Sequence, residues 1–221
     1  MSKGKFIVFE GIECSGKTTQ SKMLREYFIK QKIPVHLTQE CSNGPIGKVI
    51  REYYLSGQRR INNKKLLNLL FMIDRLDHLT NPDDGIINIL THGINVICDR
   101  YYLSSLAYHI SSYEKKWWDI EMNYIYEENL ININLLDPTI TIYIDTDPDV
   151  AFTRLIARTE SKREIFDTPE TFKKLHETYE ESINFLLNKN NIIFSVDGNR
   201  DKMDVFSDIL KIVQANCNLA I

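Results

Sequence analysis

A three-layer α/β fold, with a five-stranded parallel sheet covered by helices on both faces, is what the sequence predicts. Three observations lead there. Short apolar, β-branched runs at Phe6–Glu10, Val35–Gln39, Asn95–Asp99, Thr139–Asp145 and Ile192–Asp197 alternate with helical patterns. The runs are read as continuously apolar, as strands buried on both faces should be. The chain of 221 residues carries no internal repeat, low-complexity stretch or Pro/Gly/Ser linker, so 1–221 is expected to form one domain with a sizeable core.

The first run leads into Gly11-Ile12-Glu13-Cys14-Ser15-Gly16-Lys17-Thr18, followed by Thr19. The pattern is G-x-x-x-x-G-K-T, a phosphate-binding loop. Gly11 and Gly16 let the backbone curl around phosphate oxygens without a Cβ clash. Loop amides and the N-terminus of the next helix favour an anion. Lys17 adds a mobile charge for the outer phosphates, and the Thr18 hydroxyl is a ligand for Mg²⁺. The helix shows an apolar stripe at Met23, Leu24, Tyr27 and Phe28. A chance glycine turn is the competing reading, and the strand–loop–helix context speaks against it.

Composition narrows the function classes. Lys and Arg number 27 against 30 Asp and Glu, a formal charge of −3, which argues against a nucleic-acid or membrane-surface partner. No apolar run approaches the ~20 residues of a membrane span. The N-terminus goes straight into a strand, so no signal peptide is expected. Cys14, Cys41, Cys98 and Cys217 form no CxxC pair, and reduced thiols in the cytoplasm are the simplest reading.

Further along, Asn43-Gly44-Pro45 reads as a turn before a helix carrying Arg51, which alone looks like a solvated charge. Asn62-Asn63 starts a helix through Leu66–His78, so apolar that it is expected to be largely buried. There Phe71, Arg75 and His78 fall at i, i+4 and i+7, an aromatic and a guanidinium able to stack a base and bond its edge or a phosphate. The alternative puts Phe71 in the core and pairs Arg75 with Asp74 or Asp77 on the surface. The third run ends at Asp99, as a metal-holding carboxylate beside a phosphate loop should. Arg100 next to it suits the phosphate of a second substrate. Ser104, Ser105, Tyr108 and His109 continue onto a helix. Trp117, Trp118, Ile120, Met122, Tyr124, Ile125 and Tyr126 suggest an amphipathic helix, either core or subunit interface. Asp147 reads as an N-cap with Pro148 following, and Thr168-Pro169-Glu170 starts another helix. Between those helices lie Arg158 and Arg163, in a segment at about 158–168 that is either a lid over phosphates or a solvated loop. The turn after Asp197 is expected to border the adenine, and a helix over about 202–215 to be structural.

The quoted residues also resemble a family. Phe-Glu-Gly-(x)₄-Gly-Lys-Thr-Thr-Gln at 9–20, Leu-Leu-Phe-(x)₃-Arg-(x)₂-His at 69–78, Asp-Arg-Tyr-(x)₂-Ser-Ser-(x)-Ala-Tyr at 99–108 and Asp-Pro-Thr-Ile-Thr-Ile-Tyr-Ile-Asp at 137–145 are similar to thymidylate kinase. The resemblance thins between about 110 and 136 and implies a P-loop kinase fold that moves the γ-phosphoryl group of ATP to dTMP, with Mg²⁺. By that resemblance Lys17 and the loop amides hold ATP, Thr18 and Asp99 serve the metal, and Glu13 lies near the acceptor's deoxyribose and phosphate. Phe71 stacks on thymine, Arg75 bonds the base edge, and Arg100 takes the acceptor phosphate. Ser104 and Ser105 belong to the same acceptor motif, and Tyr108 crowds the 2′ position. Arg163 matches the lid arginine of the bacterial type, with Arg158 as helper. Cys14 stands where the eukaryotic type carries arginine. Homodimers are usual in the family. The sequence departs from the pattern at Gln39, at His109 and at Cys41-Ser42-Asn43-Gly44, where relatives carry Arg, a small or amide residue, and Pro-Gly-Gly. Two kinase alternatives stay open: a deoxyribonucleoside kinase, with less use for Arg100, and a broader deoxynucleoside monophosphate kinase. A nucleotide-binding switch is a remoter one, since Asn63-Lys64-Lys65-Leu66 lacks the Asp of a guanine-reading loop.

Overall fold

The computed structural model describes residues 3–56, 64–127, 135–158 and 168–217. The strands are β1 (Phe6–Glu10), β2 (Val35–Gln39), β3 (Asn95–Asp99), β4 (Ile140–Asp145) and β5 (Ile193–Asp197). All pairings are parallel, in the order β2-β3-β1-β4-β5. Parallel neighbours need crossovers, and helices supply them. These include α1 (Lys17–Lys30), α2 (Pro45–Val49, continuing as a wide turn over Ile50–Leu55), α3 (Lys64–Thr80) and α4 (Ile86–Thr91). They continue with α5 (Tyr102–Ile110), α6 (Trp118–Tyr126), α7 (Pro148–Ala157), α8 (Pro169–Leu187) and α9 (Lys202–Cys217).

Side chains along β1 alternate between the two layers, as period-2 geometry requires. Phe6 and Val8 join the core under α5, α6 and α8, with Tyr101, Leu106 and Tyr179. Ile7 and Phe9 join the core under α1 and α9, with Leu24, Phe28, Ile209 and Val213. This is the three-layer α/β architecture expected. Register then fixes the site. Phe9 lies opposite Asp99 and Glu10 opposite Tyr143, so β1, β3 and β4 end side by side beneath the glycine loop. Asp147 caps α7 through the amides of Asp149 and Val150, and Thr168 caps α8 through Thr171 N.

Two expectations fail. Strands β2 and β5 are not buried on both faces; most of their residues are half-buried or exposed, because they are the sheet edges. Helix α3 is not largely buried either. Leu66, Leu69, Ile73 and Leu76 are 43, 47, 49 and 37% exposed, whereas Asp74 and Arg75 are 1% exposed. The helix turns its charged residues inward because acceptors and donors wait there, and leaves an apolar stripe outward. The aromatic segment divides similarly: Trp118, Met122 and Ile125 are core, while Trp117, Ile120 and Tyr124 are exposed. The helix start at Asn62-Asn63, Arg163 and nearly all of the lid segment lie outside the described residues. Among the described residues no helix is long and apolar enough to cross a membrane.

Candidate active site

The glycine loop leaves the centre of the sheet and turns into α1. Gly11 sits at φ +148°, and a Cβ there would meet Ser15 Oγ and the carbonyl oxygen of Ile144 at 2.7 and 2.8 Å. Gly16, at φ +108°, precedes α1. Both positions demand glycine. Thr146 Oγ1 donates to the Ser15 carbonyl at 3.2 Å and ties the loop to the end of β4. Lys17 Nζ folds back onto its own loop, donating to the Ile12 carbonyl at 2.7 Å. Burial lowers the Lys17 pKa to about 8, with the neighbouring Arg100 charge acting the same way. The negative charge of a phosphate would oppose both influences and favour the charged ammonium.

A cavity of about 140 Å³ opens in front of this loop, lined by Glu13, Cys14, Gly16, Lys17, Thr18, Thr19, Gln39, Glu40, Asp99, Arg100 and Arg158. Thr18 Oγ1 donates to Asp99 Oδ2 at 2.5 Å, which puts a hydroxyl and a carboxylate together at the end of β3. Hard oxygens next to a phosphate cradle fit Mg²⁺, which binds through one or two carboxylates plus substrate phosphates. Cys14 has φ +57°, and Arg158 Nη1 lies 3.7 Å from its sulfur, so Arg158 reaches the loop from the end of α7.

Arg100 follows Asp99 in a left-handed backbone conformation, φ +74°, held by its amide donating to the Phe9 carbonyl at 2.8 Å. Such a conformation in a non-glycine residue is costly and clusters at functional sites. Its guanidinium bonds Glu13, which lies half-exposed at the cavity, and stands 5.4 Å over the Tyr108 ring. The Arg100 charge, then Lys17, hold the Glu13 pKa down to about 2. Ser104 Oγ accepts from Arg100 Nη1 at 3.0 Å.

Of the α3 residues, Arg75 is buried and pairs with neither Asp74 nor Asp77. Its Nε and Nη2 donate to Glu40 at 2.9 and 2.7 Å, and Nη2 also donates to Ser105 Oγ at 2.8 Å. Arg75 therefore stands behind Glu40, a cavity-wall residue, rather than on the wall itself. Phe71 is half-buried one turn away and also off that wall. Asp74 accepts from Ser42 N and Ser42 Oγ at 2.7 and 2.6 Å, and Arg51 Nη1 donates to the carbonyls of Cys41 and Ser42 at 2.6 Å each. The segment that lacks Pro-Gly-Gly is thus held by side chains, and Arg51 is not a solvated charge. Gln39 lines the cavity. His109 is buried instead, bonded to Asn68 and, at 2.7 Å, to Glu121, so it ties α5 to α3 and α6. Past β5, Gly198 N donates to the Asp145 carbonyl at 2.6 Å, bringing that exit next to the end of β4.

Two residues at this site were given no role from the sequence, although Glu10 falls within the motif at 9–20 and only Tyr179 lies outside every motif. Glu10, fully buried, accepts from the amides of Tyr101 and Ser104 at 2.8 and 3.1 Å and from Ser104 Oγ at 2.6 Å. Burial raises its pKa, against the lowering effect of Arg100. Tyr179, from the middle of α8, places its hydroxyl 2.9 Å from Arg100 Nη1. A carboxylate closing an otherwise apolar central strand was the available hint for Glu10. Tyr179 offered none.

Comparison with known proteins agrees with this geometry. A family profile described as Thymidylate kinase matches residues 9–209. Thymidylate kinase of Plasmodium falciparum (isolate 3D7) is 32% identical over 211 residues, covering 95% of this chain and 89% of that protein. A probable thymidylate kinase of Methanococcus maripaludis (strain S2 / LL) is 36% identical over 180 residues, 81% of this chain and 78% of its own length. Thymidylate kinase of Rickettsia typhi is 34% identical over 181 residues, 82% of this chain and 84% of its own. With a phosphate loop, a hydroxyl–carboxylate pair and two arginines around one cavity, and with matches over most of its length, the chain belongs to the thymidylate kinase family of phosphotransferase enzymes.

Proposed function

We propose that this chain transfers the γ-phosphoryl group of ATP to dTMP, giving dTDP and ADP. The observation that carries the reading is the convergence of Lys17, Arg100 and Arg158 with the Thr18–Asp99 pair on one cavity. Phosphoryl transfer between two anions passes through a loose transition state, so positioning and charge neutralisation are the main tasks. The loop amides and Lys17 bind the ATP phosphates. Arg100, flanked by Glu13 and Tyr108, holds the acceptor phosphate, with Ser104 behind it. Phe71 and Arg75 form the base side of the acceptor pocket, Arg75 acting with Glu40 and Ser105. Thr18 and Asp99 are the residues that hold Mg²⁺, which when bound offsets charge on the donor phosphates. Arg158 and Arg163 close over the transferring group from a lid at about 158–168, within one catalytic unit spanning 1–221.

The active form is a homodimer in the cytoplasm. The outward stripe Leu66, Leu69, Ile73 and Leu76 on α3 supports the first part, since a soluble surface rarely leaves such a row uncovered. Four scattered cysteines with no CxxC pair support the second. The test of function is ADP release in the presence of ATP and Mg²⁺ with dTMP, dUMP, dGMP, AMP or thymidine as acceptor. Turnover with dTMP above all others is expected. Equal turnover with AMP would refute the assignment of the base pocket.

A further inference from the structure

The Arg100 guanidinium has two sides with different partners. Nη2 meets Glu13 and, at 3.4 Å, the Tyr108 hydroxyl, on the side of the cavity. Nη1 points the other way, donating to the Gly11 carbonyl at 3.2 Å, Ser104 Oγ at 3.0 Å and the Tyr179 hydroxyl at 2.9 Å. The Nη1 partners come from the glycine loop, α5 and α8, so that side is fixed by three separate elements.

Tyr179 is wholly buried, and its ring stacks on Tyr143 at 5.6 Å. Packing alone would be served by phenylalanine, because burying a hydroxyl is costly unless it is bonded. Here it is bonded three times: to Arg100, to Ser104 Oγ at 2.8 Å and to Glu10 Oε2 at 3.3 Å. The protons can be assigned. Arg100 can only donate, and both Glu10 oxygens accept, Oε1 from the amides of Tyr101 and Ser104 and Oε2 from Ser104 Oγ at 2.6 Å. Ser104 therefore gives its proton to Glu10, and Tyr179 gives its own to Ser104 or Glu10. Both hydroxyl oxygens are left to accept from Arg100. The buried carboxylate sets the polarity of the network, and Tyr179 is its far wall.

We propose that Tyr179 is a positioning residue for acceptor-phosphate binding: with Glu10 setting its polarity, it holds the Nη1 side of Arg100 so that the Nη2 side faces the phosphate. This rests on the reading of Arg100 as the acceptor-phosphate clamp. Tyr179→Phe removes the hydroxyl and keeps the ring. Affinity for dTMP, measured calorimetrically on the full chain, should fall about tenfold or more, the change expected from one hydrogen bond to a charged group. Thymidine has the same base and sugar but no phosphate, and its affinity should change less than twofold. A purely structural role would lower the melting temperature and weaken both ligands alike. Glu10→Gln should show the same selective loss, and it serves as the second variant if Tyr179→Phe does not fold. Unchanged dTMP affinity in a folded variant, or equal losses for dTMP and thymidine, would overturn the positioning role. Wild-type protein that binds thymidine as tightly as dTMP would overturn the Arg100 reading as well.

Discussion

Replacing Arg75 with alanine strands a buried carboxylate. The Arg75 and Glu40 side chains are 1 and 4% exposed, and the pair is joined through both Nε and Nη2. Removing one partner of a buried pair typically costs about 3–5 kcal/mol, because the other charge remains without compensation. In a domain of this size each kcal/mol moves the melting temperature by about 2–4 °C. Arg75→Ala should therefore melt roughly 6–20 °C below wild type. The double variant Arg75→Met/Glu40→Leu removes both charges and should recover most of the loss, since apolar residues of similar volume replace buried ion pairs well. Scanning calorimetry of the ligand-free protein at neutral pH reads all three. A single variant melting within about 2 °C of wild type, less than one kcal/mol, would refute the idea that the pair holds α3 against the loop after β2. The dTMP Michaelis constant, measured below the melting range, should also rise.

Three further outcomes are expected. Lys17→Ala and Arg163→Ala should each lower kcat at least a hundredfold, about 3 kcal/mol of transition-state stabilisation, in the coupled ADP assay. Lys17 has a pKa of about 8 in the fold against 10.5 in an unfolded chain, so the unfolded state holds that proton more tightly. Ligand-free stability should then rise as pH climbs from about 8 toward 10.5, and Lys17→Met should be more stable than wild type at pH 7 and lose that rise in urea titrations. Ile73→Glu, in the middle of the exposed α3 stripe, should convert a dimer to a monomer by light scattering without lowering the melting temperature of the isolated fold.

What could be read without coordinates was whatever depends on neighbours in the chain. The strand, glycine loop and helix around Lys17 occupy twenty-odd consecutive residues, and their chemistry is local. Asp99 and Arg100 were readable for the same reason. Tyr179 was not, because its partner Glu10 lies 169 positions away and nothing near Tyr179 marks it. Helix α3 shows a second limit. Counting apolar residues said that it was buried, but burial goes to the face that finds partners. Glu40 and Ser42 drew Arg75 and Asp74 inward, and the leucine stripe was left outside. Edge strands β2 and β5 show a third, since strand order is a property of the assembled sheet.

The most direct test of the central claim compares dTMP with thymidine as acceptor for the same preparation, ATP and Mg²⁺ in excess, by following ADP. The two acceptors differ only in the phosphate that Arg100 is taken to hold. Rapid ADP formation with dTMP and little with thymidine is the predicted result. Formation that is as fast with thymidine, or that ignores the acceptor altogether, would contradict it.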